Sequence, residues 1–68
     1  MSDWIPLVSS NLQAYSYDPQ DQTLQIRFKS GRVYSYATVP AHVAEGLTSA
    51  PSPGRYFNEQ IRDVFPQS

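Results

Sequence analysis

The chain has 68 residues, five basic and six acidic side chains, a formal charge of −1 at neutral pH, and no cysteine. A chain of this length forms one domain that buries only about 60% of its unfolded surface. The lack of cysteine excludes a disulfide framework, a thiolate nucleophile and a cysteine-based zinc site. The near-zero charge gives a weak overall field for attracting a polyanion.

Targeting and membrane-spanning segments are not predicted. The first ten residues, MSDWIPLVSS, have neither a basic start nor a long apolar run, so a signal peptide is not expected. No apolar stretch approaches the roughly 20 residues that span a bilayer. We therefore expect a cytoplasmic protein with no membrane partner.

The first predicted strand covers residues 12–18, LQAYSYD. Tyr15 and Tyr17 fall on one side of it, with the period of two that is typical of a strand. The cluster DPQDQ (18–22) follows, where proline directly after aspartate favours a turn.

The clearest strand is TLQIRFK (23–29), in which apolar and polar residues alternate. This alternation predicts one face for burial and one for solvent. The apolar face carries Leu24, Ile26 and Phe28, and the other carries Gln25, Arg27 and Lys29.

The connection to the third strand, VYSYATV, allows two registers that differ by one residue. A two-residue turn would place a valine, a serine and an alanine on the face of Phe28. A three-residue loop over 29–31, with Gly31 in the left-handed conformation as a bulge, would place Tyr34 and Tyr36 there instead. Because two tyrosines bury far more surface, we predict the three-residue loop.

A first helix is predicted from Pro40, because Val39, Val43 and Leu47 recur at i, i+4 and i+8. Proline suits the first turn of a helix, where its missing N–H is not needed. Gly46 weakens this helix by about 1 kcal/mol relative to alanine.

A second helix is predicted from Pro53, with Ser52 as the capping residue before it. Its apolar stripe, at i, i+4, i+7 and i+8, consists of Phe57, Ile61, Val64 and Phe65. Together these elements predict an α+β fold, a three-stranded antiparallel β-meander with two C-terminal α-helices packed on one face. The single domain is expected to span 1–68, with its core at about 8–65.

Two groups of basic and polar residues are candidate sites for an anion. One is a local basic patch of Arg27, Lys29 and Arg32, for which a solvated strand face is the alternative. The other is a stripe at i, i+3 and i+7 of the second helix, formed by Arg55, Asn58 and Arg62. It begins at a helix N-terminus, where free N–H groups favour an anion. The alternative is ordinary surface ion pairing of both arginines with Glu59.

Catalysis is not expected. The only histidine, His42, lies on the first predicted helix and is expected to be exposed, and Ser9 and Ser10 have no activating base in the pattern. The six carboxylates form neither a spaced pair nor a metal triad. We therefore predict no enzyme, no cofactor and no metal.

Several short motifs follow one another in an order that resembles a known domain family. They are YSY (34–36), VP (39–40), the residues Ala50, Ser52 and Gly54, and YFNEQIR (56–62). With TLQIRFKSGR before them, they make the chain from about Val8 to Phe65 resemble the KTSC domain. This module is found at the end of some lysyl-tRNA synthetases and alone in bacterial and phage proteins. The sequence departs from the family pattern at Ser16, often glycine, and at the two prolines that flank Ser52.

The resemblance implies a small domain for which RNA is the suspected partner. We therefore predict a non-enzymatic binding module whose basic surface residues contact RNA or another polyanion. The alternative is a protein-interaction module that uses a strand edge or an exposed tip near Trp4 and Pro6. Both a buried and an exposed position for Trp4 agree with the sequence.

Overall fold

The computed structural model describes residues 4–67. Within that range the chain forms an antiparallel sheet of four strands in sequence order, followed by two helices. Residues 1–3 and 68 of the predicted domain lie outside the described residues. The strands are β1 (Ile5–Pro6), β2 (Leu12–Asp18), β3 (Thr23–Phe28) and β4 (Val33–Tyr36), and the helices are α1 (Ala41–Ser49) and α2 (Pro53–Phe57).

The α+β meander is therefore confirmed, but the sheet has four strands and not the three predicted. The additional strand, β1, pairs with β2 through Ile5 opposite Tyr15 and Pro6 opposite Ala14. A two-residue strand has no alternating pattern to reveal it, and proline usually argues against a strand. Proline is tolerated here because β1 lies at the edge of the sheet, where no neighbour needs its N–H.

The predicted hairpin register between β3 and β4 is confirmed. Tyr34 lies opposite Ile26 and Tyr36 opposite Leu24, so both tyrosines share the apolar face of β3. The backbone of the loop 29–31 closes with a hydrogen bond from the Phe28 N–H to the Arg32 carbonyl, 2.8 Å. Gly31 has φ +96°, a left-handed value that favours glycine.

Both helices cover the same face of the sheet, as predicted. Phe57 of α2 packs edge-to-face on Tyr36, and the two rings are each only 2% exposed. Pro40 lies one residue before α1 and accepts its first backbone hydrogen bonds, rather than sitting inside the first turn as predicted. The buried core that joins sheet and helices contains Leu7, Leu12, Tyr15, Leu24, Ile26, Tyr36, Val39, Ala44, Leu47, Phe57 and Ile61.

The second helix starts as predicted at Pro53, but the predicted capping by the Ser52 side chain is wrong. Ser52 lies at the capping position, yet its side chain makes no capping hydrogen bond. Its carbonyl instead accepts the Tyr56 N–H at 2.9 Å.

The end of this helix differs more strongly from the prediction. After Phe57 the chain forms a wider π-helical turn, Asn58–Arg62, here called the π segment. The helix then stops, and Val64 is 59% exposed instead of belonging to the buried stripe. Asp63 already leaves the helical conformation, and Pro66 keeps the helix from resuming because it has no N–H and disfavours helical conformation in Phe65. The tail turns towards β4, where the Ala37 N–H donates to the Pro66 carbonyl at 2.9 Å.

Candidate nucleic-acid interface

The helix-free face of the sheet carries one of the predicted site residues, Arg27. Its guanidinium lies 4.3 Å from the centre of the Trp4 ring, which places Trp4 over this face in a cation–π contact. Both side chains are half-buried. Lys29 is apart from them, exposed in the hairpin loop.

A surface groove lies on the other face, between the hairpin end of the sheet and the π segment. Its volume is about 520 Å³. The groove contains Arg32 from the predicted basic patch together with Asn58 and Arg62 from the predicted helical stripe. The remaining lining residues are Asn11, Phe28, Ser30, Tyr34, Tyr36, Phe57, Asp63 and Gln67.

The inner surface of the groove is built from aromatic rings held at fixed angles. Phe28 packs edge-to-face on Tyr34, with ring centres 5.4 Å apart and planes at 87°. Phe28 also packs on Phe57 at 5.6 Å. Because Tyr36 and Phe57 are buried and Phe28 and Tyr34 are half-buried, the last two present ring surface to the groove.

The rim of the groove carries charged and amide groups. The Arg32 guanidinium donates a hydrogen bond to the Tyr34 hydroxyl at 3.4 Å. This bond, and the nearby Tyr34 oxygen, raise the pKa of Arg32 further, so its positive charge is permanent. Across residues 4–67, the side chains of Asn58, Arg62 and Asp63 make no hydrogen bond or ion pair. Their polar groups are therefore free to meet a ligand.

Arg55 does not line this groove. Its Nε lies 3.2 Å from a Glu59 carboxylate oxygen, and both side chains are largely exposed. This is the ordinary i,i+4 surface pair that was the alternative interpretation of the stripe. Glu59 and Arg62 form no ion pair within the part of the chain that the structure describes.

The segment before β2 also approaches the groove, and the sequence did not reveal it. Ser9 and Asn11 form a local turn in which the serine hydroxyl donates to the asparagine Oδ1 at 2.9 Å. A Cβ on Gly54 would lie 2.7 Å from that oxygen, so glycine permits the close approach of α2. The sequence signal was the polar run SSN directly before an apolar strand, which is typical of such a turn.

Among residues 4–67, no cluster of three or more His, Asp or Glu side chains is placed to hold a metal ion. His42 is exposed on α1. None of the helices in this part of the chain combines the length and the apolar character needed to cross a bilayer.

A family model and a solved structure identify the class of domain. The KTSC domain model matches residues 8–65, so the chain belongs to the KTSC domain family. The crystal structure of a KTSC domain protein from Yersinia pestis has a TM-score of 0.93 and 31% sequence identity, and the match covers 100% of this chain and 96% of that one.

Sequence relatives fall into two kinds. An uncharacterised protein from Stutzerimonas stutzeri is 44% identical over 58 residues, which cover 85% of this chain and 82% of that protein. A lysine–tRNA ligase from Nostoc sp. is 46% identical over 56 residues. That match covers 82% of this chain but only 10% of the ligase. The chain thus spans about a tenth of the length of the ligases that it matches.

Proposed function

We propose that this KTSC domain is a non-enzymatic module that binds single-stranded RNA through the groove. The observation that carries the proposal is the meeting of Arg32, next to β4, with Arg62 of the π segment at one aromatic-walled groove. The two residues are far apart in the sequence. Single-stranded RNA is recognised by cationic groups for its phosphates and by ring surfaces for its bases, and the groove offers both.

The relatives support the same partner. The Nostoc protein is by name a ligase that acts on tRNA, and it contains a segment 46% identical to this chain. A small domain attached to such an enzyme would contribute by holding RNA near it. The chain's charge of −1 means that the attraction must come from local cations, since the overall field is weak.

The predicted contact residues have different expected roles. Arg32, Asn58 and Arg62 face the groove and form the primary interface. Arg27 and Lys29 extend the positive surface to the open face and the hairpin loop, where they meet phosphates outside the groove. Arg55 lies outside the groove and is paired with Glu59, so we propose no RNA contact for it.

A protein partner is the competing function, and one feature favours it. An apolar groove of about 590 Å³ lies beside the β1 edge, where Ile5 is 41% exposed near Tyr15 and Ala44. Addition of a partner strand is disfavoured at both sheet edges. Pro6 has no N–H to offer on β1, and Gln67 already bridges to Tyr36 on β4.

Fluorescence anisotropy with a labelled single-stranded RNA of mixed sequence tests the proposal. We expect binding that weakens from about 50 to 200 mM salt, with a log–log slope near −0.7 for each phosphate neutralised. Arg32→Ala should reduce the magnitude of this slope by about 0.7, and Arg62→Ala should weaken binding because it removes a donor from the groove. Arg55→Ala is the matched control and should change it little.

Two results would contradict the proposal. One is the absence of binding at low salt, together with unchanged amide chemical shifts around Arg32, Asn58 and Arg62. The other is binding that does not depend on salt, which is expected of an apolar interface with a protein and not of phosphate contacts.

A further inference from the structure

We infer that the groove accepts one base of the RNA and prefers guanine. This inference rests on the proposed function and specifies its ligand. It is carried by two neighbouring residues of opposite charge, Arg62 and Asp63, which are consecutive in the sequence and both line the groove.

The size and walls of the groove suit a single nucleotide. A volume of about 520 Å³ lies within the range of small-ligand pockets, and a double helix does not fit such a space. Phe28 and Tyr34 offer ring surface for stacking, and their edge-to-face packing fixes its orientation. The buried rings of Tyr36 and Phe57 support them from beneath, so the wall is formed before ligand arrives.

The carboxylate of Asp63 indicates base recognition and not phosphate binding alone. A negative group in a phosphate site would repel the ligand. An ionised carboxylate only accepts hydrogen bonds, so its ligand must present N–H donors. Within residues 4–67, Asp63 forms no ion pair with an arginine, so its carboxylate has no structural role of that kind.

The complementary donors come from Arg62. A guanidinium only donates, and two acceptors side by side, as in O6 and N7 of guanine, match its forked geometry. Guanine also presents the adjacent N–H donors N1–H and N2–H₂, which a carboxylate can accept as a pair. Adenine and cytosine each offer an amino donor beside an acceptor nitrogen that repels a carboxylate, and uracil has no amino group. Guanine therefore satisfies both side chains at once.

The π segment brings a third polar group to the site. Asn58 begins this wider turn and Arg62 ends it, and both face the groove. The Asn58 amide can donate and accept, so it can bond whichever ribose or base atom lies beside it. Its position adds affinity but does not discriminate among bases.

The test compares four labelled pyrimidine-rich single-stranded RNAs that differ only in one central base, which is guanine, adenine, cytosine or uracil. We expect the guanine RNA to bind about tenfold more tightly than the others, the discrimination typical of one bidentate pair. Asp63→Asn should remove this preference while leaving binding of the adenine RNA intact or tighter. Arg55→Ala, outside the groove, should preserve the preference.

The possible outcomes separate the two proposals. Equal, salt-dependent binding of all four RNAs would overturn the guanine inference and leave RNA binding standing. A guanine preference that survives in Asp63→Asn would also overturn it. If no RNA binds, the proposed function fails and the inference fails with it. An unchanged amide spectrum outside the groove would confirm that Asp63→Asn is folded.

Discussion

The phenol of Tyr56 lies directly over Gly46, in the space that a Cβ would occupy on any other residue. The hydroxyl continues past the glycine and donates a hydrogen bond to the Val43 carbonyl at 2.8 Å. Tyr56 belongs to α2 and both of its partners to α1, so this contact joins the two helices. A glycine that weakens α1 locally is thus required by tertiary packing.

Gly46→Ala should therefore destabilise the domain, although alanine is the better helix former by about 1 kcal/mol. The new methyl group would overlap the Tyr56 ring, and overpacking of this kind costs about 1–3 kcal/mol. Urea unfolding measures the change. Thr48→Ala, at an exposed position of the same helix, is the control and should be neutral or stabilising. A Gly46→Ala variant more stable than the parent would contradict the packing role.

Gly31→Val should lower the free energy of unfolding by about 1–2 kcal/mol. A Cβ at Gly31 would meet no atom within 4 Å, so the penalty comes from the backbone alone, at φ +96°. Thermal unfolding checks it, with Ser30→Ala in the same loop as control. An unchanged Tm would mean that the hairpin closes in another geometry.

Alkaline pH should destabilise the domain through two tyrosines. Burial, and then the charges of Asp18 and Glu45, raise the pKa of the Tyr17 phenol, and burial raises the pKa of Tyr56. The Tyr17 hydroxyl donates to the Val39 carbonyl, and the Tyr56 hydroxyl donates to the Val43 carbonyl. A phenol can donate these hydrogen bonds only in its neutral form.

A raised folded pKa means that the folded state holds the proton more tightly than the unfolded chain. The stabilisation is then complete below the ordinary tyrosine pKa of about 10 and is lost as the pH rises through the folded values. Tyr17→Phe should cost about 1 kcal/mol at neutral pH and make the alkaline decline shallower. Urea titrations from about pH 8 to 11 measure both effects. If the free energy of unfolding declines equally with pH in the parent and in Tyr17→Phe, the Tyr17 phenol is not a source of the alkaline destabilisation.

The contact of Arg27 with Trp4 gives a spectroscopic prediction, because Trp4 is the only tryptophan in the chain. Arg27→Ala should remove about 0.5–1 kcal/mol of cation–π attraction, and collisional quenching of the indole should rise. Arg27→Lys retains the charge, so quenching of its indole should lie between that of the parent and that of Arg27→Ala. Quenching that is identical in all three proteins would show that the ring is not held over Arg27 in solution.

Much of the sheet could be predicted because its signals are local. The alternation in residues 23–29 and the placement of Tyr34 and Tyr36 followed from the burial of apolar side chains on one face. The missed strand, β1, is two residues long, and only its pairing with β2 makes it a strand. Val64 was assigned to the core by helical spacing, which fails where the chain leaves the helix to reach β4.

The candidate site could be predicted only in part. Arg32, Asn58 and Arg62 were recognised as candidates, but in two separate groups with Arg27 and Arg55. The structure divides those groups among the open face, the groove and a surface ion pair. Asn11 and Asp63 could not be predicted as groove residues, because neither belongs to a periodic pattern of a strand or a helix. One lies near a turn and the other at a helix end, and only the tertiary fold places such residues beside a groove.

By itself the sequence determined a small α+β domain with a tyrosine-bearing hairpin covered by a helix that starts at Pro53. Period and residue size carry that information, because alternate side chains of a strand and every third or fourth of a helix must share a face. Only the tertiary structure decided which cations meet and which do not. Arg32 and Arg62 come together because α2 packs Phe57 against Tyr36, and no spacing along the chain encodes that contact.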